Sequence, residues 1–143
     1  MAYTYDPQNI FARILRGEIP NKTVLETAHT LAFHDIGPQA PVHVLIIPKG
    51  AYVNFDHFAA DATADELLDF HRTAARVVAQ LGLAPGDGQA GYRAIANSGD
   101  HGHQEVPHYH LHILAGRPLG PMLTKGQAHE QSAGSGSPGR AAF

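Results

Sequence analysis

Residues 106–116 read Val-Pro-His-Tyr-His-Leu-His-Ile-Leu-Ala-Gly, with histidines at positions 108, 110 and 112. Successive side chains of an extended strand point to opposite faces, so His108, His110 and His112 share one face. Tyr109, Leu111 and Ile113 share the other, which gives the strand an apolar side to bury. A helix would rotate the same imidazoles by about 200° at each step and scatter them. The alternation therefore predicts a β-strand. Packing alone does not account for three histidines in line, because neutral imidazole is a nucleophile, a proton carrier and a metal ligand near pH 7.

Outward from this strand, Asn97 to Pro107 is a glycine-rich polar loop, and Tyr92 to Ala96 reads as another strand. Ala84-Pro-Gly-Asp-Gly is a turn. Before it, Thr63-Ala-Asp-Glu66 fits the capping box of a long helix that stops at Gly82, with Leu67, Ala74, Val77, Val78 and Leu81 on its buried side. Val42 to Ile47 is apolar on both faces, which places it centrally in a sheet. Thr23 to Glu26 and Thr30 to His34 are short extended segments. Asp6-Pro7 predicts the start of a first helix, with Asp6 as N-cap, an apolar stripe of Ile10, Phe11, Ile14 and Leu15, and Gly17 at its end. Residues 1–125 thus form one domain, and 126–143, poor in bulky apolar residues, read as a flexible C-terminal tail. The connections leave little room for crossover helices, so the fold class is α+β with a mostly antiparallel sheet.

At 143 residues the chain suits one domain with a real core. A formal charge of −3 gives no basic footprint for nucleic acid, though a single nucleotide needs only a few donors. The absence of cysteine excludes disulfides, thiolate zinc sites and a cysteine nucleophile. No apolar run approaches the roughly 18 residues of a membrane span, and the first residues lack the pattern of a signal peptide. The expectation is a cytoplasmic protein without a membrane partner.

Two chemistries compete for the histidines. His-x-His on a strand is a common metal-binding arrangement, but three same-face ligands span about 13 Å of strand, awkward for one tetrahedral ion. Alternatively, a central imidazole attacks phosphorus while its neighbours fix its tautomer and bind phosphate oxygens. Gly99 and Gly102 would let backbone N–H groups approach an anion, and Asn97 and Gln104 offer neutral donors. Spacing alone leaves the two open.

The segment Val-Pro-His-Tyr-His-Leu-His-Ile-Leu-Ala-Gly-Arg-Pro-Leu-Gly resembles the signature of the histidine triad (HIT) family, His-Φ-His-Φ-His-Φ-Φ with Φ apolar. Residues 10–22, IFARILRGEIPNK, resemble the family's N-terminal helix and turn. Residues 31–49, LAFHDIGPQAPVHVLIIPK, are similar to the Hint branch, the nucleoside phosphoramidate hydrolases. Three segments in order are far more specific than any one. The resemblance covers about residues 10–120.

It implies a five-stranded antiparallel sheet with two main helices, extended across a homodimer. It also implies hydrolysis of adenosine 5′-monophosphoramidate-type substrates to AMP through a nucleotidyl-histidine, without cofactor or metal. By the same resemblance His110 is the nucleophile, His112 contacts phosphate and assists the leaving group, and His108 and His43 support the nucleophile. Asp35 would accept the ribose hydroxyls; Phe33, Ile14, Ile19 and Ile36 would line the base pocket; Asn97 and Gln104 would donate to phosphate. Two departures stand out. Glu105 replaces a serine found in many relatives and becomes a candidate general acid, and Ala51 stands where relatives often carry another histidine. The alternatives are a dinucleoside polyphosphate hydrolase or nucleotidyl transferase of the same family, or a nucleotide-binding partner protein.

Overall fold

Strand β3, Val42–Pro48, is the centre of the molecule and is buried from His43 onward. The computed structural model describes residues 3–124; the expected tail at 126–143 lies outside them. Around β3 the other strands are β1 (Thr23–Glu26), β2 (Thr30–His34), β4 (Arg93–Ile95) and β5 (Leu111–Ala115), and the sheet order is β1-β2-β3-β5-β4. Every neighbouring pair is antiparallel. The five-stranded antiparallel sheet with helices is the expected fold.

Period-two alternation sorts the sheet into two unlike faces. Val44 and Ile46 join Ala32, Ile113 and Ala115 in one apolar cluster, capped by Phe70, Val77 and Val78 of the long helix α3, Ala64–Gln80. Its capping box is complete: Thr63 Oγ1 accepts from Glu66 N, and Glu66 Oε1 accepts from Thr63 N. On the opposite face Leu45 and Ile47 join Leu31, Phe33, Val106 and Phe11, the last from the short helix α1, Ile10–Leu15. Burying each large apolar side chain contributes roughly 1.5–3 kcal/mol, so the α3 face carries most of the fold's stability.

Three expectations need correction. The strand expected to carry all three histidines begins only at Leu111, so His108 and His110 lie in irregular chain before it. The last ladder pair on that side is Ile46 with Leu111, because β3 ends in Pro48, which has no N–H to donate. The two faces still hold: Tyr109 and Ile113 sit in the α3 cluster, while His108, His110 and His112 are buried at 0–2 % exposure. The N-cap of α1 is Asn9, not Asp6. Asp6 Oδ1 instead accepts from Gln8 N, and Asn9 Oδ1 takes the free helix N–H of Ala12. A further helix, α2 (Phe55–Asp61), was not foreseen; Asn54 caps it and Phe58 anchors it. Among the described residues no helix is long and apolar enough to cross a membrane.

Candidate active site

His112 stands on β5 opposite Leu45, and His43 stands on β3 opposite Leu114, so the register sets the two imidazoles diagonally on one face. Their contact is direct: His43 Nε2 to His112 Nδ1 is 2.9 Å. The backbone N–H of Gln39 donates to His43 Nδ1 at 3.0 Å, which leaves the hydrogen of neutral His43 on Nε2. His43 therefore donates to His112 Nδ1, and His112 carries its own hydrogen on Nε2. Burial is the main cause that lowers the His43 pKa; Asp35 opposes it and His110 adds to it.

The same accounting applies upstream. His110 Nδ1 lies 2.7 Å from the carbonyl oxygen of His108. A carbonyl only accepts, so His110 holds its hydrogen on Nδ1 and keeps the lone pair on Nε2. His108 Nε2 donates to the Pro48 carbonyl at 2.8 Å, and its Nδ1 lies 2.7 Å from the Tyr5 hydroxyl. Burial, with a smaller contribution from His110, pushes the His108 pKa down to about 4, so this ring is neutral at physiological pH. The Phe11 ring meets His110 edge-on at 4.9 Å and also flanks His108 and Phe33, walling the imidazoles from water.

Asp35 follows β2, and its buried carboxylate accepts from Gly37 N at 2.8 Å through Oδ1. Oδ2 lies 3.4 Å from His43 Nε2. Asp35 and His43 line a cavity of about 530 Å³ together with Lys22, His34, Ile36, Pro38 and Pro41. That volume suits a small ligand of nucleotide size. Ile36, 86 % exposed, offers apolar surface at its rim. Phe33 is instead part of the core against Phe11. Ile14 lines a separate cavity of about 310 Å³ beside Lys49, and Ile19 is half-buried beyond α1.

The loop before the triad departs most from expectation. The Gln104 amide nitrogen donates to the carbonyls of Val53 and Val106, at 2.7 and 2.9 Å, so both its hydrogens brace the loop rather than face a phosphate. Gly102 packs on Ser98, whose backbone oxygen would lie 2.6 Å from a Cβ there. The Gly99 N–H turns toward Gln104 Oε1 at 3.4 Å. These glycines close the loop on itself. Asn97 is half-buried, two residues past Ile95, whose partner in the ladder is His112. Glu105 is exposed and lies 3.0 Å from His103 Nε2, with His103 in the left-handed backbone region at φ 58°. No hydrogen bond joins Glu105 to the triad among the described residues, which fits a solvated carboxylate rather than a general acid. Ala51 is exposed and supplies no polar group.

The metal reading left open by the spacing of the histidines meets one cluster among the described residues: Asp35, His43 and His112 bring their ligand atoms within 4.8 Å of one another. An ion there would need the lone pair of His43 Nε2. Metal-bound histidines donate their second nitrogen to an acceptor, but Gln39 N–H donates to His43 Nδ1 and forces the hydrogen onto Nε2. The trio fits a shared proton better than a cation.

A model of the HIT domain matches residues 16–119. The chain belongs to the HIT family. A HIT-like protein of Azospirillum brasilense is 59 % identical over 126 residues, covering 88 % of this chain and all of that one. The purine nucleoside phosphoramidase of Escherichia coli K12 is 43 % identical over 116 residues, covering 81 % of this chain and 93 % of that protein. Among solved structures, a HIT family hydrolase from Clostridium thermocellum superposes with a TM-score of 0.71 at 38 % identity, over 82 % of this chain and 97 % of that chain. A histidine triad protein from Clostridium difficile gives 0.72 at 35 % identity, over 84 % and 100 %. Membership in the HIT family and likeness to its hydrolases support hydrolase activity on a nucleotide.

Proposed function

We propose that this HIT protein hydrolyses purine nucleoside 5′-phosphoramidates, typified by adenosine 5′-monophosphoramidate, through a nucleotide held covalently on His110. The observation that carries this reading is the 2.7 Å bond from His110 Nδ1 to the His108 carbonyl. It commits the hydrogen to Nδ1 and makes Nε2 the nucleophile without any titration step. Nε2 attacks phosphorus, the P–N bond breaks, and the amine nitrogen, oriented by the His112 Nε2–H, departs with a proton taken from solvent. Water then attacks the nucleotidyl-imidazole and releases AMP.

Asp35 accepts the ribose hydroxyls from the wall of the cavity, and Ile36 covers the base. Asn97 serves the phosphate. The 43 % identity to the Escherichia coli phosphoramidase supports the substrate class. The chemistry calls for no metal and no cofactor.

The reading extends to a cytoplasmic homodimer that engages neither nucleic acid nor membrane. β4 pairs with β5 along one side, and among the described residues no strand covers its other side. An open edge of this kind is a template for a second copy. Light scattering should then give twice the chain mass of 15.3 kDa. The activity itself is tested by incubating the protein with adenosine 5′-monophosphoramidate in excess chelator. AMP and ammonia appearing in equal amounts support the reading; failure to release AMP, or release restored only by added zinc, contradicts it.

A further inference from the structure

We propose that Tyr5 is a positioning residue for the nucleophile, acting through His108; the inference rests on the role proposed for His110. The segment before α1 is tied down on both sides of Tyr5. Tyr3 donates its hydroxyl to Asp56 Oδ2 on α2 at 2.7 Å, and its ring lies 5.1 Å from that of His57. On the other side the Asp6 carbonyl accepts from both the backbone and side-chain nitrogens of Asn9. Between these anchors the Tyr5 hydroxyl reaches His108 Nδ1 at 2.7 Å, with the two rings edge to face at 5.6 Å.

The direction of that bond follows from its neighbour. His108 Nε2 must donate to the Pro48 carbonyl, so Nδ1 holds a lone pair and the Tyr5 phenol is the donor. Both nitrogens of a fully buried ring are thereby engaged, and rotating the ring would break two bonds at once. The peptide of the same residue presents the carbonyl that holds His110 Nδ1. Tyr5, 105 residues from the nucleophile in sequence, thus helps fix the acceptor that sets the nucleophile's tautomer.

Removing the phenol oxygen leaves a buried acceptor without its donor, and the ring relaxes or takes up a proton. The titratable groups facing His108 are Tyr5 from the N-terminal segment and His110 from its own segment. Pro48 and Phe11, from β3 and α1, contribute no charge. Loss of the donor makes the His108 lone pair more basic, so its cation forms at higher pH.

The test is Tyr5→Phe, which keeps the ring. We expect kcat to fall roughly tenfold, the factor carried by one ordinary hydrogen bond, with KM unchanged because no nucleotide contact is touched. The acid limb of the pH–rate profile moves to higher pH. In single turnovers of a His108→Ala protein, adding Tyr5→Phe costs nothing further, because the partner is already gone. An unchanged kcat, or an equal loss in both backgrounds, overturns the proposal.

Nitrogen-15 spectra of the ligand-free protein read the contact without any substrate and separate this proposal from the assigned activity. Tyr5→Phe should shift the His108 Nδ1 resonance; an unmoved resonance overturns the contact. If Tyr5→Phe does not fold, 3,5-difluorotyrosine at position 5 gives a stronger donor on the same ring. It should shift the Nδ1 resonance and move the acid limb to lower pH, and the absence of both changes contradicts the proposal.

Discussion

His112 and Ile113 are neighbours on β5, yet they face opposite sides of the sheet and do opposite work. On the α3 side, Ile113 sits among Val44, Ile46, Phe70 and Val77, and the buried polar side chains there are hydroxyls: Tyr109 within the cluster, Thr30 donating to Asp69, and Thr73 meeting Thr27. On the α1 side, His112 sits with His43, His110 and Asp35, where every ring has an assigned hydrogen. One face excludes water mainly by shape. The other must exclude water and also satisfy each buried nitrogen, because an unmet one costs about 1–3 kcal/mol. Stability and chemistry are thereby separated by the thickness of one strand, and substitutions on the two faces should fail in different ways.

The largest effect belongs to His110, the proposed nucleophile. His110→Ala should lower turnover by at least about a thousandfold while nucleotide still binds, since binding groups on Asp35 and the cavity remain. Steady-state kinetics beside AMP binding by calorimetry check it, and parallel loss of binding would merge the two roles.

On the opposite face Phe70→Ala removes a ring that is 1 % exposed and packs on both Phe58 and Tyr109. The expected cost is about 3–5 kcal/mol of stability, read from urea unfolding. Well below its midpoint the variant should keep its kcat. A loss of kcat in the folded variant would mean that the α3 face also shapes the site.

Asp35→Asn comes next. A charge-assisted hydrogen bond contributes about 1.5–3 kcal/mol, so nucleotides with both ribose hydroxyls should weaken by tenfold or more relative to 2′,3′-dideoxy analogues. Equal weakening of the two would place Asp35 outside the ribose site.

The most gradual effect is spread over pH. His108 titrates at about 4 when folded, against an ordinary value of 6.5, so the unfolded chain binds the extra proton between those values. Its contribution to stability is complete above about pH 6.5 and is lost as pH falls toward 4, at no more than about 1.4 kcal/mol per pH unit. His108→Gln, which keeps a donor but does not titrate, should flatten this slope in unfolding measurements between those pH values. An unchanged slope would assign the acid sensitivity to other groups.

The triad was legible because period two is a local property of five residues, and α3 because Thr63 and Glu66 complete each other within one turn. The paired faces of β3 were legible for the same reason, from Val44 and Ile46 against Leu45 and Ile47. What escaped depends on partners distant in sequence. The late start of β5 is set by Pro48 across the sheet, and the bracing role of Gln104 by the Val53 carbonyl. The meeting of Tyr5 with His108 closes 103 residues of chain. Helix α2 escaped for another reason: Phe55 and Phe58 are its only large apolar side chains, too few to show a stripe, whereas α1 carries Ile10, Phe11, Ile14 and Leu15. The Asp6 and Asn9 exchange was a local competition between two good capping residues, decided by which one reached the Ala12 N–H.

The account turns on one covalent bond between His110 Nε2 and phosphorus. An acid- or heat-sensitive adduct should be captured by base-quenching the protein during turnover of an adenosine phosphoramidate, digesting it, and mapping the nucleotide by mass spectrometry. The predicted result is adenylate on His110 alone, absent from His110→Ala. Adenylate on His108 or His112, or AMP formed in full by a protein that never carries an adduct, would contradict it.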